Sequence, residues 1–307
     1  MTQKNLESLH EPVMLSRTLE LLGPALTSDS AVLVDCTLGL GGHSEAFLNM
    51  FENLTVIGID RDQVALELAG KRLEVFGSRV KYFHGTYEQI PEALAEFGFS
   101  EASAILMDLG VSSMQIDSQD RGFAYSFDAP LDMRMDSSAG ETAAELLATA
   151  SEQELARIFK EYGEERFAKK IASEIVSRRS NAPIVSSKQL AGIISEIVPF
   201  IPGKSSGHPA KRVFQALRIA VNQELEILES AIPAAIQSLE IGGRLLVLAY
   251  HSLEDRIVKQ ALVQAATSSA PIELPFELPE HAPVLKLVIK GAEQATLQEI
   301  AANPRSA

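Results

Sequence analysis

The chain has 307 residues, 46 % of them hydrophobic and 22 % charged, proportions that exclude disorder, collagen and disulfide scaffolds and predict one large domain or a domain carrying an insertion. Its 27 basic and 41 acidic residues give a net charge of −14, which excludes a uniformly basic surface, and no apolar run approaches the roughly 18–20 residues of a membrane span. The lone Cys36 cannot form an internal disulfide and fits a reducing cytosolic compartment, and the first twelve residues hold no apolar stretch of the kind a secretory signal needs.

Along the first 111 residues, strand-like and helix-like segments alternate. Residues 31–39 (AVLVDCTLG) predict a buried strand that ends in glycines, and 55–60 (TVIGID), 80–87 (VKYFHGTY) and 103–111 (SAILMDLGV) predict three more. Helical stretches separate them, such as Gln63–Phe76 with Val64, Leu68 and Val75 among polar residues. Alternation of this kind predicts an α/β fold, a mostly parallel sheet with helices on both faces. The next strand, 243–250 (GRLLVLAY), follows a helical pattern over roughly Val213–Leu239. About 130 residues separate it from the fourth strand, where a crossover needs only a few tens, so about 100 residues are inserted. Their period is helical over Ser151–Arg179 and Lys188–Val198. A helix over Leu253–Ala266 and a last strand over 284–291 (VLKLVIKG) complete the pattern. The expected division is residues 1–111 with 220–307 in the α/β body, and 112–219 in the helical insertion.

Charge is uneven. Between Lys169 and Arg218, nine basic residues face only Glu174 and Glu196, a local charge of +7 that leaves the rest of the chain near −21. Such a stretch is either a polyanion-binding surface or a solvated helical face.

The first strand runs into Asp35-Cys-Thr-Leu-Gly39-Leu-Gly41-Gly42-His43-Ser44, and glycines at the C-terminal end of a strand let the backbone turn tightly against a ligand. The dinucleotide spacing G-x-G-x-x-G fails, because Ser44 stands where its third glycine belongs. The pattern suits S-adenosylmethionine (SAM) better, since SAM has no pyrophosphate to cradle; a purely structural turn is the alternative. Asp60 ends the second strand, 21 residues after Gly39, where a carboxylate can accept ribose hydroxyls. Asp60-Arg-Asp-Gln63 also reads as a helix capping box. Tyr87 either covers an adenine face or packs at the sheet edge. Asp108, released from an apolar strand in ILMDLGVSS, is poorly explained by stability and is the candidate catalytic carboxylate. Cys36 lacks the neighbouring ligands a metal would need.

Together these segments resemble the bacterial 16S rRNA (cytosine-N4) methyltransferases. The likeness rests on His10-Glu-Pro-Val-Met14, Asp35 to His43, Gly58-Ile-Asp60-Arg-Asp62, His84-Gly-Thr-Tyr87, Asp108-Leu-Gly-Val-Ser-Ser113, Gln115-Ile-Asp117 and Arg121-Gly-Phe123. It continues through Pro130 to Asp136, His208-Pro-Ala-Lys-Arg212, Phe214 to Asn222, Gly242-Gly-Arg244, His251-Ser-Leu-Glu-Asp-Arg256 and Asn303-Pro-Arg305, nearly the whole chain. Each motif is weak by itself, and the set in this order is specific. The resemblance implies a class I SAM-dependent methyltransferase fold, Rossmann-like, with an inserted helical domain. It implies methylation of the exocyclic N4 of a cytidine, position 1402 of 16S rRNA, in the small ribosomal subunit. It places SAM contacts at Gly41, Gly42, His43, Asp60, Tyr87, Asp108 and Gln115. Three features depart from the family: Tyr87 replaces a commoner Phe, Met114 replaces a Pro before Gln115, and the basic tail usual after Asn-Pro-Arg is not present, which removes one expected RNA contact.

Cytosine N4 is a weak nucleophile because its lone pair is delocalised into the ring. An oxygen acceptor at an N4 hydrogen localises that pair and takes the proton. Many amino-methyltransferases carry an Asp/Asn-Pro-Pro-aromatic motif on the fourth strand for this step; Asp108-Leu-Gly-Val keeps the carboxylate and lacks the aromatic. Phe123, Tyr125 and Phe127 in RGFAYSF are candidates to stack on the base, or anchors of their own loop. The base must be unpaired or flipped to be reached. Lys211, Arg212 and Arg218 are candidate phosphate contacts. Arg134 either binds RNA or pairs with Asp132 or Asp136. His251 is a candidate substrate contact, although Ser252-x-x-Asp255 also reads as a capping box. Competing readings are a small-molecule methyltransferase, which the basic insertion disfavours, and an assembly factor with a vestigial SAM site, which the full set of strand-end acids disfavours. The acidic body predicts that assembled subunits, not free rRNA, are the substrate.

Overall fold

The structure, a computed structural model, describes residues 12–117, 120–199, 208–271 and 278–306. Five strands, β1 (Val32–Asp35), β2 (Thr55–Asp60), β3 (Val80–His84), β4 (Ala102–Asp108) and β5 (Leu239–Leu248), form one sheet in the order β3-β2-β1-β4-β5. Every neighbouring pair is parallel. β1 and β4 are continuous apolar runs because each is covered on both faces, the usual state of a parallel strand. Alternate residues divide between the faces. Leu33, Val56, Ala104 and Leu106 pack with Leu22, Phe47, Leu66 and Leu73 from helices on one side. Val34, Ile57, Ile105 and Met107 pack on the other with Ile90, Leu94, Leu228, Ile232 and Val258. The fold is the parallel α/β arrangement expected from the alternation, and Rossmann-like as the resemblance implies.

Three expectations need correction. β3 stops at His84, and Tyr87 begins a short 3₁₀ turn capped by Thr86. β5 starts at Leu239, four residues early: Ala102 pairs with Leu239 and Ala104 with Arg244, so a bulge absorbs Glu240–Gly243. The expected strand at 284–291 is not formed, and Val284 and Val288 are 72 % and 62 % exposed. Alternation says which face a strand would bury, but a strand also needs a partner to pair with, and none pairs with this segment among the described residues.

The chain divides into two compact units. One holds the chain to Gly110 and from Leu225 onward; the other is Val111–Glu224. The second is helical: Ala143–Thr149, Glu152–Glu161, Ala168–Arg179, Ser187–Ile197 and Lys211–Asn222 surround a core containing Leu147, Leu155, Phe159, Ile171, Leu190 and Leu217. Thr142, Ser151 and Ser186 cap three of these helices with side-chain oxygens. The long helical pattern read over Val213–Leu239 breaks at Gln223, which is left-handed and ends the Lys211–Asn222 helix. Just before it, buried Asn222 accepts from Met135 N at 2.7 Å and donates to Met133 O at 2.8 Å, fixing the LDMRMD loop. Among the described residues, no helix is long and apolar enough to cross a membrane.

Candidate active site

The parallel register brings three carboxylates to one edge of the sheet, since Asp35, Asp60 and Asp108 each end a strand. Open α/β sheets bind ligands outside these strand ends. The glycine loop follows β1. Gly39 (φ 53°) and Gly41 (φ 76°) take left-handed backbone, and Gly41 starts the Gly42–Met50 helix. A Cβ on Gly41 would lie 2.9 Å from Leu73, whereas one on Gly39 would meet nothing closer than Thr37 O at 3.8 Å. The loop is packed behind Gly41 and open beside Gly39.

Asp60 holds this loop. Its Oδ2 accepts from Gly39 N and its Oδ1 from Asp62 N, both at 2.8 Å. Burial pushes its carboxyl up to about 6 despite these two hydrogen bonds. The expected capping role belongs to Asp62, whose Oδ1 accepts from Val64 N. Asp35 is fully buried, accepts from Ser44 Oγ at 2.6 Å, and is raised by desolvation. Asp108 N donates to Thr37 Oγ1 at 2.7 Å, locking β4 to the loop after β1. The Asp108 carboxyl is also raised, chiefly by burial, with Asp35 and Glu254 adding like charge. His43 donates from Nε2 to Val13 O at 3.1 Å, because a carbonyl only accepts; its Nδ1 then faces Asp108 Oδ2 at 3.9 Å. Tyr250, at the end of β5, donates its hydroxyl to Asp108 Oδ1 at 2.6 Å. Sequence reasoning passed over Tyr250. Its signal was an aromatic placed directly after an apolar strand and next to His251.

The other candidates are placed as follows. Gly42 opens its helix, and Tyr87 packs half-buried against the sheet core. His251 caps the Ser252–Ala265 helix, and Glu254 closes the box, one residue earlier than the expected Ser252–Asp255 pair. In the helical unit, the Gln115 side chain is buried and accepts from Ser112 N at 3.0 Å. Phe123 lies against that unit's core, and Tyr125 stacks on His208 with ring centroids 4.6 Å apart, so both anchor their loop. Phe127 is partly buried, and its carbonyl accepts from Ser187 Oγ. Arg134 makes a two-pronged pair with Asp132, and Arg218 makes one with Glu224. Lys211 and Arg212 are exposed, Arg212 also reaching Glu164 O. Arg178 engages both Glu174 and Glu196, the two acids of the basic stretch.

The glycine loop, open beside Gly39, and the three strand-end carboxylates thus share the sheet edge at which open α/β folds bind ligands. The chain belongs to the MraW methylase family, which it matches over residues 7–307. It is 55 % identical over 302 residues to a Ribosomal RNA small subunit methyltransferase H from Clavibacter michiganensis subsp. michiganensis, covering 98 % of this chain and 95 % of that one. Proteins of the same name from Saccharopolyspora erythraea and Pseudarthrobacter chlorophenolicus are 54 % and 53 % identical, each over 97 % of this chain and 90 % and 92 % of theirs.

Proposed function

We propose that the protein is a SAM-dependent methyltransferase acting on the exocyclic N4 of a cytidine, position 1402, in 16S rRNA of the small ribosomal subunit. The observation that carries the reading is the strand-end acid set Asp35, Asp60 and Asp108 around the open glycine loop, together with family membership and relatives named for small-subunit rRNA. The site's residues fit SAM: Gly39 leaves room for a close approach, Asp60 suits the ribose hydroxyls, and the acidic edge suits a sulfonium and an ammonium. SAM supplies an electrophilic methyl group on positively charged sulfur. Asp108 accepts a hydrogen of the amine, concentrates the lone pair on N4 and takes up the proton. Its raised carboxyl is a better base than a free aspartate, and His43 Nδ1 faces it at 3.9 Å. Lys211 and Arg212 on the helical unit are the phosphate contacts, and they recognise assembled subunits better than free rRNA because the rest of the chain is acidic.

The test uses radiolabelled SAM and small subunits lacking the modification, with the product nucleosides resolved by mass spectrometry. N4-methylcytidine that disappears with Asp108→Ala is the expected result. Methyl transfer to another position, or none despite SAM binding, overturns the substrate assignment. Free 16S rRNA methylated as fast as subunits overturns the preference for the assembled particle.

A further inference from the structure

The fourth strand keeps the carboxylate of an amino-methyltransferase site and lacks the aromatic that usually follows it. Phe123 and Tyr125 of the loop do not supply a free face, since they pack into their own unit. The strand beside β4 does. Asp108 and Leu248 are register partners, and Tyr250 stands two residues beyond that pair. Its hydroxyl reaches Asp108 Oδ1 at 2.6 Å, while the residue is 46 % exposed. The Asp108 side chain is itself 25 % exposed, so carboxylate and ring are both reachable from solvent. Gly110 contributes a second observation. It is left-handed (φ 91°), and a Cβ there would point to the Tyr250 ring at 3.7 Å. Glycine therefore turns the chain away and keeps a side chain off the ring.

We infer that Tyr250 is a substrate-binding residue: its ring is the platform on which the target cytosine stacks, and its hydroxyl holds the Asp108 carboxylate at the edge of that base. The inference rests on the cytidine-N4 reading and deepens it. A ring fixed by its own hydroxyl to the acceptor carboxylate sets the distance between stacked base and acceptor in a single residue. The hydroxyl stays a donor over the working pH range, because burial and the Asp108 charge both push its ionisation upward. The charged or titratable groups around Asp108 are His43, Asp35 and Glu254 besides Tyr250 itself. Removing the tyrosine hydroxyl withdraws a hydrogen bond from the ionised carboxylate, so Asp108 then ionises at higher pH.

Two variants separate the halves of the inference. Tyr250→Leu loses stacking and the hydrogen bond; Tyr250→Phe loses only the hydrogen bond. With small subunits as substrate, Tyr250→Leu raises KM about 5- to 150-fold, the range for removing one base–aromatic stack. Tyr250→Phe keeps KM within about threefold and moves the acid limb of the kcat profile to higher pH. A second readout needs no activity: the Asp108 carboxyl, followed by NMR in aspartate-labelled protein without cofactor, titrates at higher pH in both variants than in the wild type. An unchanged KM in Tyr250→Leu overturns the stacking role, and an unchanged Asp108 titration overturns the positioning role. Wild-type protein that forms no N4-methylcytidine overturns the underlying reading instead, so the two failures are distinguishable.

Discussion

Asp60→Asn keeps the side chain's shape and removes its charge. The carboxyl ionises at about 6 instead of 3.8, so holding it charged in the fold costs roughly 3 kcal/mol at pH 8. Against that relief, the amide can accept from only one of Gly39 N and Asp62 N, and turns a donor toward the other, a loss of roughly 1.5–3 kcal/mol. The two effects nearly cancel, so Asp60→Asn changes the melting temperature at pH 8 by less than about 6 °C. Cofactor binding has no such compensation. A ribose hydroxyl loses a charged acceptor, which weakens SAM binding about 10- to 150-fold by calorimetry. The pH dependence follows from the raised carboxyl. Between about pH 4 and 6 the folded wild type holds more protons than the unfolded chain, so this group's contribution to stability falls as pH rises, and the loss is complete above 6. The Asn variant lacks that decline, so its stability relative to wild type improves from pH 4 to 6 and is level above. SAM affinity of the wild type climbs over the same window, and that of Asp60→Asn climbs less, since Asp35 and Asp108 still ionise at the site. Equal SAM affinity of the two proteins at pH 8 would refute the reasoning.

Four further outcomes are expected. Asn222→Ala leaves Met135 N and Met133 O without their buried partner and lowers stability by roughly 2–5 kcal/mol in urea titrations. Arg218→Ala takes the two-pronged partner from Glu224, which is only 7 % exposed, and costs about 3–5 kcal/mol of stability; Lys211→Glu leaves the melting temperature unchanged and weakens subunit binding with a shallower salt dependence. Gly39→Ala folds at a cost of about 1 kcal/mol for its left-handed backbone, yet loses SAM affinity because its methyl group enters the open side of the loop.

Where the sequence was legible, burial explains why. β1 and β4 sit between two helical layers, so their residues are apolar almost without a break, and the acids that end them stand out. β5 was misplaced at its start because Glu240, Gly242 and Gly243 occupy a bulge, which carries no apolar pattern. The segment 284–291 misled for the opposite reason: its alternation is that of a strand, but pairing is a tertiary property. At the site, Asp60 and Asp108 were visible as polar residues at the ends of apolar runs. The capping boxes were displaced by one or two residues, because Asp62 and His251 compete equally well on local pattern. Arg218 looked like a phosphate ligand because its acceptor, Glu224, is recognisable only once the turn at Gln223 is folded, whereas for Arg134 the sequence left pairing with Asp132 open and the fold forms that pair. Tyr250 was hidden because its partner is a long way along the chain.

That distance, 142 residues between Asp108 and Tyr250, also orders events during synthesis. By Gly110 the ribosome has delivered β1 to β4, but the face carrying Val34, Ile105 and Met107 still awaits Leu228, Ala231, Ile232 and Ala235. At about 5–20 residues per second, roughly 6–25 s pass before that cover emerges. Throughout that interval the nascent sheet has one covered face, a second covered only in part by Ile90 and Leu94, and an open edge at β4, the profile of a chaperone client. The inserted unit is thus a delay line: it sets how long a half-finished sheet must be kept from aggregating before β5 can pair with β4.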